Sequence, residues 1–298
     1  MKKKRIFSGC ATALITPFSG GAIDYPRLAS LIDAQIASGI SALVIGGTTA
    51  EAATLDDGER YELFNFTKER AAGRAKLIFG TGTNDTRKAI SHTKTAEEIG
   101  CDGVLVVTPY YNKGTASGLV EHYKAIAESV DLPIIVYNVP SRTGVNLSIN
   151  QLEKLAPVQN IVAIKEAGDS LDRLVELSLF GDELALYAGC DSHIYSVLAL
   201  GGQGVISVAS NLYPEWIKEL CDSFFDGNAE RSLKIQSAIF PFISSIFKET
   251  NPAPIKYALS RSGLCENELR LPLSPISAET ERLVAFEMER LSTRLSGF

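Results

Sequence analysis

The chain has 298 residues, 45% of them hydrophobic, enough to bury one large core or two small ones. A net charge of −6 and a pI near 5.3 provide no basic footprint for nucleic acid or anionic lipid. No apolar run approaches the roughly 18 residues of a membrane span, so the expected partner is a small molecule, with no nucleic acid and no membrane.

From the N-terminus, apolar strand-like runs alternate with amphipathic helical stretches. Strands are expected at 10–15, 42–45, 77–79, 103–107, 134–137, 161–165, 184–188 and 204–208. Helices are expected between and after them, at 25–37, 58–72, 87–99, 119–129, 149–155, 171–179, 192–199 and 215–225. Asp56 with Glu59, and Ser148 with Gln151, have capping-box spacing, and Pro214 suits a first helical turn. Strand and helix repeated eight times predict an α/β fold, a TIM (β/α)8 barrel over 1–226. A doubly wound open sheet is the rival, but no GxGxxG follows the first strand. After Gly227 the alternation stops. Helical stretches at 230–248, 255–262 and 278–295 predict a C-terminal appendage, 227–298, packed on the barrel.

The start, MKKKRIFSGC, is basic and runs into Ser8-Gly9-Cys10, but only Ile6 and Phe7 stand where a signal needs about 7–15 apolar residues. Export is therefore not expected. Cys10, Cys101, Cys190, Cys221 and Cys265 are odd in number and widely spaced, which suits reduced thiols in the cytoplasm. His92, His122 and His193 form no HExxH, so no metal is expected and each reads as an ordinary helix residue.

The stretch NIVAIKEA, 160–167, ends an apolar strand on Lys165 and Glu166. Alternation puts Ile161, Ala163 and Lys165 on one face, and Val162, Ile164 and Glu166 on the other. An ammonium is a poor nucleophile, and desolvation disfavours it; a lysine at the mouth of a barrel therefore suits Schiff-base chemistry. A lysine that snorkels from a strand end is the equal alternative from this segment alone. Tyr137 shares parity with Ile135 as Lys165 does with Ala163, so its phenol could pass protons to and from an amine adduct. Thr48 and Thr49, after the second strand in GGTTAEAATL, offer hydroxyls and amides to a carboxylate, or simply form a tight turn. Tyr110 and Tyr111 in TPYYNK suggest an interface. Arg142 in YNVPSRTG has the fork for a carboxylate, or makes a surface salt bridge. Gly189, and the cluster Gly201-Gly202-Gln203-Gly204 that enters the eighth strand, could cradle a phosphate or let a ligand approach the backbone.

GTT, TPYYN, YNVPSRTG and IKEA, in this order and spacing, resemble the pyruvate-dependent Schiff-base lyase and synthase family, the N-acetylneuraminate lyase family. The resemblance extends from ATALITPF near the start to NPAPIK at 251–256 and LRLPLSPI at 269–276. It implies a homotetramer built as a dimer of dimers, and condensation of pyruvate with aspartate semialdehyde on the diaminopimelate route to lysine. It makes Lys165 the Schiff-base lysine and Tyr137 the proton shuttle, and no cofactor is implied beyond the covalent adduct. Thr48 would link Tyr137 to Tyr111 across a dimer interface, and Thr48 and Thr49 would hold the pyruvate carboxylate. Arg142 would receive the semialdehyde carboxylate, while Gly189 and Ile206 line the pocket through their backbones.

Two departures from the family pattern stand out. Ala50 replaces the glycine of GTTGE, and its methyl is expected to crowd the turn and lower activity. Asp57, Arg60 and Lys88 stand beside Ala53, Asn84 and Tyr110 where lysine-inhibited members tend to carry His, His and Glu, so lysine feedback is expected to be weak. The alternatives are an N-acetylneuraminate lyase, a 2-keto-3-deoxy sugar acid aldolase, a catalytically retired scaffold paralogue and, on the glycine cluster alone, a phosphate-binding aldolase. Arg142 favours an acidic second substrate over a polyol.

Overall fold

The local signals form as written. Asp56 accepts from the Glu59 amide while Glu59 reaches back to the Asp56 amide, and Ser148 and Gln151 do the same. The computed structural model describes residue 3 and residues 5–296. Of the basic start that bears on export, residues 1, 2 and 4 lie outside the described residues.

The strands are β1 (Gly9–Ala13), β2 (Ala42–Ile45), β3 (Lys76–Gly80), β4 (Gly103–Val107), β5 (Ile134–Asn138), β6 (Ile161–Glu166), β7 (Ala185–Ala188) and β8 (Gly204–Ser207). All pair in parallel in chain order, and β1 closes the barrel on β8 with Ala11 opposite Ile206. The helices that follow them are α1 (Tyr25–Ala37), α2 (Asp57–Ala71), α3 (Thr86–Ile99), α4 (Ala116–Ala127), α5 (Ile149–Leu155), α6 (Leu171–Ser178), α7 (Ile194–Ala199) and α8 (Pro214–Phe225). This is the TIM barrel expected from the alternation. Helix α4 starts ahead of its expected position because Thr115 caps it, accepting from Gly118 N at 3.1 Å. The hairpin of Phe18–Ser19 with Ala22–Ile23 and the single turn Pro140–Thr143 are too short to carry a periodic signal.

Alanines at 11, 42, 163 and 185 face the barrel interior and leave room there for Tyr137 and Tyr187. Phe7, just ahead of β1, closes the N-terminal end. Its ring stacks on Tyr187 at 4.4 Å, and its carbonyl accepts the Tyr187 hydroxyl at 2.6 Å. The expected parity of β6 needs one correction. Ile134 pairs with Ile161 but Ile135 pairs with Ala163, so an extra residue bulges β6. Ile161 therefore joins the outer core under the helices and Val162 the inner one, the reverse of strict alternation. Beyond the bulge, Ala163 and Lys165 keep the predicted face.

The glycine cluster is also corrected. It opens β8 at the N-terminal end, away from the mouth where Lys165 lies. A Cβ on Gly204 would come within 1.8 Å of the Gly9 carbonyl, and one on Gly202 within 2.3 Å of Val197. These glycines let chain segments meet, and the phosphate cradle falls.

Past the barrel come α9 (Ala229–Ile246), α10 (Ala253–Arg261) and α11 (Ala278–Leu295). Helix α9 lies against α8 and α11, and its Ile235, Ile239 and Phe242 share one continuous core with the outer face of the barrel. Among the described residues no helix is long and apolar enough to cross a membrane, and no group of side chains has the makings of a metal site. The five cysteines are unpaired, with all but Cys190 buried.

His122, buried on α4, has Nδ1 2.9 Å from the Thr86 hydroxyl and, among the described residues, no partner for Nε2. Burial pushes it from 6.5 to about 4. The unfolded chain thus takes up a proton that the folded chain refuses, and stability falls as pH drops from 6.5 towards 4. Between pH 7 and pH 5 this group is expected to remove about 2 kcal/mol, measured by urea unfolding. His122→Gln should flatten that part of the slope; an unchanged slope would contradict the assignment.

Candidate active site

Lys165 and Tyr137 are the penultimate residues of β6 and β5, and the two are direct cross-strand partners. Lys165 is only 5% exposed, and its Nζ stands 4.3 Å from the centre of the Tyr137 ring. Tyr187 flanks Lys165 on the other side, from β7. The structure thus brings an amine and a phenol together at the C-terminal mouth, as their shared parity predicted.

Thr48 and Thr49 lie in a single turn, Thr48–Ala50, after β2. Thr49 is buried, and its hydroxyl accepts from Asn251 Nδ2 at 3.0 Å. Ala50 is buried as well, and its carbonyl takes the Thr16 hydroxyl at 2.9 Å. The left-handed residue of the turn is Glu51, with φ of 55°, and Ala50 is not among the residues of positive φ. An alanine at position 50 therefore costs no left-handed strain.

Arg142 follows β5 in the turn Pro140–Thr143, where its Nη2 donates to the Asn251 carbonyl at 2.7 Å, and among the described residues it makes no salt bridge. Gly189 follows β7, its N–H on the Glu166 carbonyl at 2.7 Å. A Cβ there would sit 2.6 Å from that same oxygen, which is why no larger residue fits. Ile206, buried on β8, belongs to the interior cluster. Tyr111 is not gathered in: it is 89% exposed, with φ of 69°, on the loop after β4. Among the described residues of this one chain no hydrogen bond joins the Thr48 hydroxyl to Tyr137 or Tyr111.

Sequence reasoning missed the charges that brace these groups. Glu166, beside Lys165 and buried on the opposite face, accepts from Arg173 Nε at 2.7 Å, Gly168 N at 2.8 Å and Asn138 Nδ2 at 2.9 Å. Asn138 is its register partner on β5, so the network ties the two strands together just behind Tyr137 and Lys165. Glu51 pairs with Lys256, both side chains wholly excluded from solvent. Burial pulls the Lys256 ammonium down, and the Glu51 carboxylate opposes that shift. Asp191 accepts from Ser207 Oγ and, at 3.0 Å, from Val208 N; desolvation raises its carboxyl above the usual range. The available signal was a charged residue inside an apolar run, as in IKEA and APIKYAL, but no spacing names its partner.

A buried amine against a phenol at the C-terminal mouth of a parallel barrel is the layout required of a carbon–carbon lyase that works through a lysine Schiff base. The sequence profile of the Dihydrodipicolinate synthetase family matches residues 6–290, and the chain belongs to that family. It is 44% identical over 286 residues to the 4-hydroxy-tetrahydrodipicolinate synthase of Alkaliphilus oremlandii, covering 96% of this chain and 99% of that one. Among solved structures, the 4-hydroxy-tetrahydrodipicolinate synthase of Methylacidiphilum fumariolicum SolV superposes with a TM-score of 0.96 at 40% identity, covering 98% of both chains. A monomeric dihydrodipicolinate synthase variant superposes with a TM-score of 0.94 at 41% identity, covering 96% of this chain and 97% of that one.

The Glu166 network sets a stability test. Arg173→Met leaves a buried carboxylate without its cation and is expected to cost about 3–5 kcal/mol. Lys76→Met, which breaks the exposed pair with Asp102, is expected to cost under about 1 kcal/mol. Chemical denaturation measures both, and equal losses would contradict the assigned weight of the buried pair.

Proposed function

We propose that the chain condenses pyruvate with L-aspartate 4-semialdehyde to 4-hydroxy-tetrahydrodipicolinate, on the diaminopimelate route to lysine. The observation that carries this reading is the burial of Lys165 against Tyr137; the names of the relatives support the choice of substrates. The Lys165 amine adds to the keto carbon of pyruvate, and loss of water leaves an iminium. The Tyr137 hydroxyl supplies the proton that leaves with that water and, as phenolate, takes one from the methyl group that the iminium acidifies, which becomes an enamine carbon. The enamine bonds the aldehyde carbon of the second substrate, and the new alkoxide takes a proton back. The semialdehyde's own amine then displaces Lys165 from the keto carbon and closes the ring.

In this mechanism Thr48 and Thr49 bind the pyruvate carboxylate. Arg142, steadied by the Asn251 carbonyl, receives the carboxylate of the semialdehyde. Gly189 and Ile206 line the pocket, and residues 227–298 form the appendage that packs on the barrel. Thr48 joins Tyr137 to the partner subunit's Tyr111 in a homotetramer assembled as a dimer of dimers. The exposure of Tyr111 supports that assembly, as do exposed apolar stripes of Leu171, Val175 and Leu179 after β6 and of Leu233 and Phe240 along α9 with Phe247 at its C-terminal cap.

Borohydride reduction with pyruvate, read by peptide mass spectrometry, is expected to modify the peptide carrying Lys165. Turnover is then expected with aspartate semialdehyde and not with N-acetylmannosamine; turnover with the amino sugar alone would move the chain to the lyase branch. Tyr137→Phe is expected to lower kcat by roughly 10²–10⁴-fold. The Lys88 ammonium, partly offset by Asp57 Oδ1 at 3.7 Å, is a cation that repels the ammonium of a lysine effector. Sub-millimolar lysine is accordingly expected to leave the rate unchanged, and inhibition in that range would overturn the point.

A further inference from the structure

We propose that the buried ion pair of Glu51 and Lys256 is a positioning device for the keto acid carboxylate, setting how tightly pyruvate is held rather than how fast the new bond forms. The inference rests on the carboxylate site assigned above to Thr48 and Thr49.

Glu51 is a non-glycine residue in the left-handed region, a conformation that persists only where surrounding contacts impose it. It ends the Thr48–Ala50 turn, with its N–H on the Thr48 carbonyl at 3.1 Å, and opens the next turn, Ala52–Thr54. The orientation of the Thr48 and Thr49 amides therefore depends on Glu51. Its carboxylate points inward and both oxygens are engaged, Oε1 by Lys256 Nζ and Oε2 by the Arg270 amide at 3.0 Å. Neither donor belongs to the barrel.

Lys256, in α10, is itself fixed from several sides. Its Nζ also donates to the Glu268 carbonyl at 2.9 Å and sits 4.2 Å from the centre of the Phe18 ring. The Arg270 guanidinium lies 4.4 Å from the same ring and holds the Thr54 carbonyl at 3.0 Å, at the far end of the loop. Asn251 donates to the Thr49 hydroxyl and accepts from Arg142, so the stretch Asn251–Lys256 grips Thr49, Arg142 and Glu51 together.

A buried ion pair is weak evidence of stabilisation for its own sake, since a well-packed apolar pair often does as well. What this pair adds is a fixed place for a strained turn. A uniform structural staple and a positioning device therefore differ in kinetics.

The test uses Glu51→Gln/Lys256→Met, which leaves no unpaired buried charge, in the full-length protein. At a preserved fold by circular dichroism, the KM for pyruvate is expected to rise about tenfold or more and kcat to fall less than about threefold. The pyruvate concentration that half-saturates borohydride trapping of Lys165 is expected to rise in parallel. If the wild type traps and the double variant traps with unchanged half-saturation, the positioning role is overturned while the Schiff-base reading stands. If the wild type itself does not trap, that reading fails instead, and the positioning role with it. Should the double variant not fold, Lys256→Arg carries the test: a raised KM for pyruvate supports the proposal, and an unchanged one overturns it.

Discussion

The cross-strand pairing of Lys165 with Tyr137 is the constraint on which the rest of the structure depends. Two neighbouring parallel strands must end at the same height, with the same parity, inside a closed barrel. A slip of one residue on either strand would turn one of the two side chains towards the helices. The bulge early in β6 and the alanines of the interior are set around that requirement. The bulge places Ala163 and Lys165 on the inner face, and the small side chains leave the volume that two tyrosines and a lysine fill.

A second layer of charge braces that pairing and, separately, the loop after β2. Glu166 collects Asn138, Gly168 and Arg173 behind the strands, while Glu51 collects Lys256 and the Arg270 amide behind the loop after β2. In both places a carboxylate next to the candidate site is buried and fully engaged. The chain beyond the barrel reaches the site through the stretch Asn251–Lys256 and through Arg270.

Much of the fold was legible because strand and helix periods alternate without a break, and capping boxes at Asp56 and Ser148 mark two helix starts. The facing of Lys165 and Tyr137 followed from parity alone. The placement of Ile161 and Val162 did not, because a bulge changes pairing without leaving a trace in an apolar run. The glycines at 201–204 were misread because glycine permits close approach to a ligand and to another strand equally. The partners of Glu51 and Glu166 were not legible. The residues paired across the Glu51–Lys256 contact are 205 positions apart, and nothing local announces the match. Tyr111 was read as an interface residue, and its exposure on a single chain is compatible with that.

A crystal structure of the protein grown in pyruvate tests the central claim most directly. Continuous density from Lys165 Nζ to the keto carbon, beside the Tyr137 ring and with the carboxylate against Thr48 and Thr49, is the expected result. Pyruvate lying unbonded in the mouth, or joined to a different amine, would contradict it.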